Sequence, residues 1–111
     1  MSVFETSHAD QARWQRRAAA ELAAILQAHP GLPIIAWTVC SAGAKLVGRV
    51  NGLAPATDVR TVYEIWRTTL SLTEHREHAT GSATYLNTAT DRHRVRLALS
   101  ATVFDDEEPA R

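Results

Sequence analysis

The stretch that most constrains the fold is Val95 to Val103. Val95, Leu97, Leu99, Ala101 and Val103 alternate with Arg96, Ala98, Ser100 and Thr102. Successive side chains of a strand point to opposite faces. The pattern therefore predicts a strand over Arg92–Phe104 with one face in a core and the other turned away. A sheet with one apolar face needs a layer to cover it.

Two segments can supply that layer. Ser7 to Asp10 fits a capping box, and a helix follows to about Ala28, with Trp14, Ala18, Leu22, Ile25 and Leu26 as its apolar stripe. Arg17 and Glu21 stand at the spacing of a helical ion pair. His29-Pro30-Gly31 stops the helix. A second helix, capped by Thr57 or Asp58, runs from Val59 to about Leu70, with Val59, Val62, Tyr63, Trp66 and Leu70 on one face and Ile65 at its margin.

Between the helices, Ile34 to Asn51 reads as a β-hairpin. Ile35, Trp37 and Val39 point one way and Ile34, Ala36, Thr38 and Cys40 the other; Ser41–Ala44 forms the loop, and Lys45–Asn51 pairs back. Gly48, in mid-strand, gives a bulky neighbour such as Trp37 room to lie across the backbone. After the second helix come a polar strand over Thr73–Ala79, at an edge or with one wet face, and a turn at Thr80-Gly81. A strand over Ser82–Thr88 and a turn at Ala89–Asp91 follow. The order α-β-β-α-β-β-β predicts one α+β domain over residues 1–111, with 1–6 and 105–111 as loose ends. Two amphipathic helices then pack on a five-stranded antiparallel sheet. If both cover one face, the other is wet or buried against a partner.

Composition narrows the classes. With 111 residues and 45% hydrophobic side chains, one core can hold without disulfides or metal. The single cysteine, Cys40, excludes a disulfide within the chain and points to a reducing, cytoplasmic setting. MSVFETSHADQARWQRR has no apolar signal core, and no run approaches the ~20 apolar residues of a membrane span. The formal net charge is zero, which argues against a dedicated nucleic-acid binder and lowers the repulsion that opposes self-association.

No motif carries a specific chemistry. His75 and His78 invite a metal reading, but on a strand they face opposite ways and cannot share an ion. Cys40 ends an apolar strand, where a small buried hydrophobe is the ordinary role, and nothing in the sequence brings His29 to it as a base. Ser41–Ala44 lacks the GxxxxGK[ST] pattern and the following helix of a phosphate loop. No metal, cofactor or catalytic residue is expected. Arg94 and Arg96, two residues apart on one strand, make the most suggestive cluster with Arg76 and Arg92; Tyr85 and His93 offer stacking partners for a single strand of nucleic acid. Trp37, Cys40, Tyr85 and His93 are the candidates for a ligand or enzymatic pocket in a curved sheet.

The element order, with LAAILQAHPGLPIIAWTV before a hairpin and an amphipathic helix after it, is similar to the core of the roadblock/dynein light-chain domains over roughly Ala18 to Phe104. That resemblance implies a profilin-like sandwich that works by binding protein partners, small GTPases among them. DDEEPAR stands where that family has a closing helix, and Leu72–Thr90 is more polar than the pattern asks. The function expected is a small, non-catalytic interaction module with a homo-oligomer or another protein as partner. Its contact is placed at Trp66, Leu70, Glu74 and Arg76. Nucleic-acid binding and a ligand pocket are the alternatives, and no membrane is involved.

Overall fold

The computed structural model describes residues 8–40, 43–52 and 54–104. The Ser7 cap, loop residues Ser41 and Ala42 and the predicted loose ends 1–6 and 105–111 lie outside the described residues. The elements are α1 (His8–Ala28), β1 (Ala36–Val39), β2 (Lys45–Arg49), α2 (Ala56–Thr69), β3 (Glu74–Thr80), β4 (Ala83–Arg92) and β5 (Val95–Phe104). Their order is the one the sequence predicts.

The five strands form one sheet in the order β1-β2-β5-β4-β3. Every pairing is antiparallel except β2 with β5, which is parallel. The sheet is thus mixed, not antiparallel throughout. The reason is topological. β3, β4 and β5 form a meander, so β5 runs in the same sense as β3 and returns to lie beside β2. Side-chain alternation carries no information about strand direction.

β5 is central, and Val95, Leu97, Leu99, Ala101 and Val103 are all buried, as the alternation requires. Val59, Tyr63 and Trp66 of α2, Leu70 at its C-terminal cap, and Ala18 and Ile25 of α1 share the core with them. Both helices lie on the same side, α2 over β5 and α1 over β1 and β2. The α1 stripe is rotated from the predicted one. Glu21 is buried between Ala18 and Ile25, while Leu26 is exposed. The α2 helix starts a turn early. Pro55 precedes it with φ −55° and ψ 147°, no side chain caps this end, and the Pro55 carbonyl accepts the first helical bond from Val59 at 3.0 Å.

Gly48 has the role its position implies. A Cβ there would lie 3.1 Å from Cη2 and Cζ3 of Trp37 and 3.0 Å from Cδ1 of Ile35. The Trp37 ring crosses the strand and meets Trp66 edge-on, 5.5 Å between centroids. The Trp66 indole N–H donates to the Pro33 carbonyl at 2.8 Å, tying α2 to the segment that enters β1.

The β4–β5 turn falls at His93-Arg94, not at Ala89–Asp91. β4 continues through Arg92, which pairs with Val95. Both turn residues have positive φ, 52° and 67°, as a two-residue hairpin of the I′ kind requires. Neither is Gly or Asn, so the turn is strained by roughly 1–2 kcal/mol per residue. Its anchor is Glu21. One carboxylate oxygen lies 2.9 Å from His93 Nδ1, the other 3.1 Å from Arg92 Nε. Glu21 therefore pairs across the fold, not with Arg17.

Candidate functional site

The helices cover one side of the sheet only. On the other, the register places side chains from all five strands in rows. Thr38, Val47, Ala98, Ala89 and Glu74 form one row; Ala36, Arg49, Ser100, Asn87 and Arg76 form the next. Lys45, Arg96 and Asp91 lie toward one end. Toward the other, His78, Tyr85 and Thr102 align, with Phe104 two residues beyond. Small residues in the middle rows leave a shallow depression of about 570 Å³, whose wall includes Lys45, Arg49, Arg76, Arg96, Asn87 and Ser100.

The cations of this face are of two kinds. Arg96 is engaged. Its guanidinium donates to both carboxylate oxygens of Glu74, at 3.0 Å through Nη1, and reaches Asp91 at 3.4 Å. The Arg96 hydrogen bond holds the Glu74 carboxyl below its usual range, and the same bond holds Arg96 still more firmly protonated. Lys45, Arg49 and Arg76 form no ion pair among the described residues.

The predicted arginine cluster is divided by this geometry. Arg76 and Arg96 share the open face. Arg92 turns to the helix side and pairs with Glu21, and Arg94 stands in the turn instead of beside Arg96 on a strand face. Lys45 and Arg49 stand on the open face beside Arg96 and Ser100 in their place. Alternation in Lys45–Arg49 already put both on the polar side of their strand, but only the β2–β5 pairing shows that this side continues into Arg96 and Ser100.

The predicted pocket does not assemble. Trp37 packs on the helix side, Tyr85 stands on the open side, and the sheet lies between them. His93 is at the hairpin tip with Glu21. Cys40 follows β1, half-buried, its backbone N–H donating to the Lys45 carbonyl at 3.0 Å. His75 and His78 do face opposite sides of β3. His75 Nδ1 lies 2.9 Å from the Tyr63 hydroxyl beneath α2, while His78 is opposite Tyr85. Among the described residues no three His, Cys, Asp or Glu side chains stand close enough to hold a metal, and no helix is long and apolar enough to cross a membrane. Of the predicted contact residues, Trp66 and Leu70 are in the core; Glu74 and Arg76 are on the open face.

The two sheet edges differ. β3 is exposed throughout and reads EHREHAT, a charged edge of the kind that resists pairing with another chain. β1 reads AWTV. Its bonds to β2 leave the N–H and C=O of Trp37 and Val39 pointing outward. Beside it Ile34 is 98% exposed and Leu26 46%. Both line an apolar groove of about 310 Å³ with Leu32, Pro33, Trp37 and Trp66. A larger trough of about 640 Å³ follows the outward face of α2. Its charged residues are engaged, Arg60 with Glu77 and Glu64 with Arg67.

Comparisons with family models, with curated proteins and with solved structures gave no match. The likeness to roadblock domains is one of element order.

Proposed function

We propose that this chain is a non-catalytic interaction module that self-associates through the β1 edge. The observation that carries the reading is Ile34, 98% exposed beside an uncharged edge strand whose outer side is unpaired among the described residues. An isoleucine gains about 1.5–3 kcal/mol on full burial. With Leu26 and the groove it makes an apolar patch continuous with the outward backbone groups of Trp37 and Val39, which have no partner among the described residues. A second copy in antiparallel register offers the same patch and the same outward groups of Trp37 and Val39, so one contact satisfies both chains. The charged β3 edge supplies no such surface, and Trp66 and Leu70 are buried in the core, so this reading differs from the contact expected at Trp66, Leu70, Glu74 and Arg76.

Light scattering across concentration and salt tests this. The wild-type chain is expected at twice its 12.2 kDa mass at both low and high salt, since the contact is apolar. Ile34→Asp is expected at the monomer mass with an unchanged circular dichroism spectrum, because the side chain it replaces touches no core; its unfolding midpoint is expected to equal that of the wild type diluted to monomer. A wild-type monomer at every concentration, or an Ile34→Asp dimer, overturns the reading.

A further inference from the structure

We infer that the bare face of the sheet binds single-stranded nucleic acid. Three observations converge there.

The first is charge. Lys45, Arg49, Arg76 and Arg96 share the face with two acids, Glu74 and Asp91, and both acids are spent on Arg96. Three cations are left without an ion pair among the described residues. The zero net charge of the chain hides this. Residues 8–104 contain eleven Lys or Arg and seven Asp or Glu, a net +4; the other five acids are Glu5 and Asp105–Glu108. The folded body is cationic, and the compensating charge lies at the chain's two ends.

The second is the aromatic pair. Tyr85 is 40% exposed and Phe104 51%. Tyr85 pairs with Thr102, so Phe104 is its diagonal neighbour on the same face, at the ~7–8 Å that separates such positions. Exposed rings on a strand face are platforms on which unpaired bases stack, whatever their identity.

The third is the layout. From Phe104 to Arg96 is eight residues, about 26 Å along β5 at ~3.3 Å each. Rings stand at one end. Ser100 and Asn87, flanked by Arg49 and Arg76, stand in the middle, and Lys45 and Arg96 at the other end. Ser100 and Asn87 offer neutral donors and acceptors to base edges, and the arginines match phosphate oxygens. A duplex keeps its bases stacked on each other and cannot use the rings, so the face selects single strands. A second copy packed face to face would bring like charges together in the middle rows.

The test is fluorescence anisotropy with a labelled mixed-sequence DNA octamer, its RNA counterpart and a duplex of the same sequence, from 25 to 300 mM salt, on the wild type and on Ile34→Asp. Running the monomer variant separates this proposal from self-association, because either can fail alone. Single strands are expected to bind more tightly than the duplex. Each phosphate contact contributes about −0.7 to the slope of log affinity against log salt, so Arg49→Ala with Arg76→Ala is expected to reduce the slope by roughly 1.4. Tyr85→Ala should weaken binding by roughly five- to a hundredfold at an unchanged slope. Glu74→Gln, which removes one acid from the face and leaves Arg96 only its 3.4 Å contact with Asp91, should strengthen binding and steepen the slope by up to about 0.7. All these positions are on the exposed face, and circular dichroism of each variant is the check on its fold. No single-strand binding at 25 mM salt overturns the inference. So does equal or tighter duplex binding with Tyr85→Ala silent, or binding that survives the double arginine variant.

Discussion

Gly48→Ala is expected to destabilise the domain, although alanine is the better strand residue. In open space the substitution gains about 0.5–1 kcal/mol from the unfolded state, because glycine has more conformational freedom to lose. Here the new methyl would sit 3.0 Å from Ile35 Cδ1 and 3.1 Å from two carbons of the Trp37 ring. The ring cannot simply lift. It meets Trp66 edge-on, and Trp66 is pinned by its bond to the Pro33 carbonyl. Forcing one extra methyl into such packing costs about 1–3 kcal/mol, and displacing Trp37 forfeits part of an aromatic contact of about 0.5–1.5 kcal/mol. The clash outweighs the entropy gain, for a net loss of about 1–2.5 kcal/mol. In a domain near 100 residues that is a Tm lowered by roughly 5–15 °C. Urea unfolding followed by tryptophan fluorescence and by far-ultraviolet circular dichroism gives the value. Trp37→Leu made in both backgrounds gives the coupling, which should be at least about 1 kcal/mol. A Gly48→Ala variant as stable as the wild type, or more so, would mean that the ring does not fix this position, and the reasoning fails.

Three further outcomes follow, two from buried polar groups and one from the strained turn. Glu21→Gln should cost about 1–2 kcal/mol, since it weakens the pairing that holds Arg92 and His93 at the strained tip. Arg94→Gly should instead stabilise by up to about 1 kcal/mol through relief of a positive φ; thermal melts of both variants check this, and an Arg94→Gly that lowers Tm refutes the strain. Burial pushes the Tyr63 hydroxyl up to about 12, against a smaller downward pull from Arg67, while the unfolded chain releases that proton near 10. The stabilisation is therefore complete below pH 10 and is lost as pH rises from 10 towards 12, by an amount on the order of 2 kcal/mol. Urea midpoints at pH 9, 10 and 11 should fall faster for the wild type than for Tyr63→Phe, and parallel curves would contradict the assignment.

How far the sequence reveals this fold depends on what kind of information each residue carries. Val95 to Val103 announced its own faces because alternation is local, and Val59, Tyr63, Trp66 and Leu70 did the same at helical spacing. Gly48 beside Trp37 was legible because only glycine tolerates a ring across its backbone. What was hidden is pairwise and long-range. Nothing in KLVGR says that it lies beside β5, so Lys45 and Arg49 could not be joined to Arg96, and the parallel pairing was missed. Glu21 reads as the surface partner of Arg17 until Arg92 and His93 arrive from seventy residues away. The turn at His93-Arg94 contains neither glycine nor asparagine and has no local signature. Trp66 and Leu70, taken for a contact surface, belong to the stripe that meets β5, and strength of amphipathic pattern does not distinguish a core face from a binding face.

The two surfaces proposed here are geometrically linked, and the link has a consequence of its own. In antiparallel pairing, residues opposite one another share a face. Two β1 edges paired about a two-fold axis therefore keep both helix layers on one side and bring both bare faces together on the other. The result is a continuous ten-stranded surface roughly 43 Å wide at ~4.8 Å per strand, with the cationic rows of both copies on it. A short oligonucleotide occupies one face and gains nothing from the second. A long one can engage both, and the second engagement is intramolecular, with an avidity gain that can reach 10²–10⁴. Ile34→Asp should then change the affinity for an octamer by less than about twofold, and weaken binding of a 30-mer by about tenfold or more. Equal losses on both lengths would mean that Ile34 touches the nucleic acid directly. No loss on either would mean that the copies do not present their faces side by side, even if dimerisation and binding both occur.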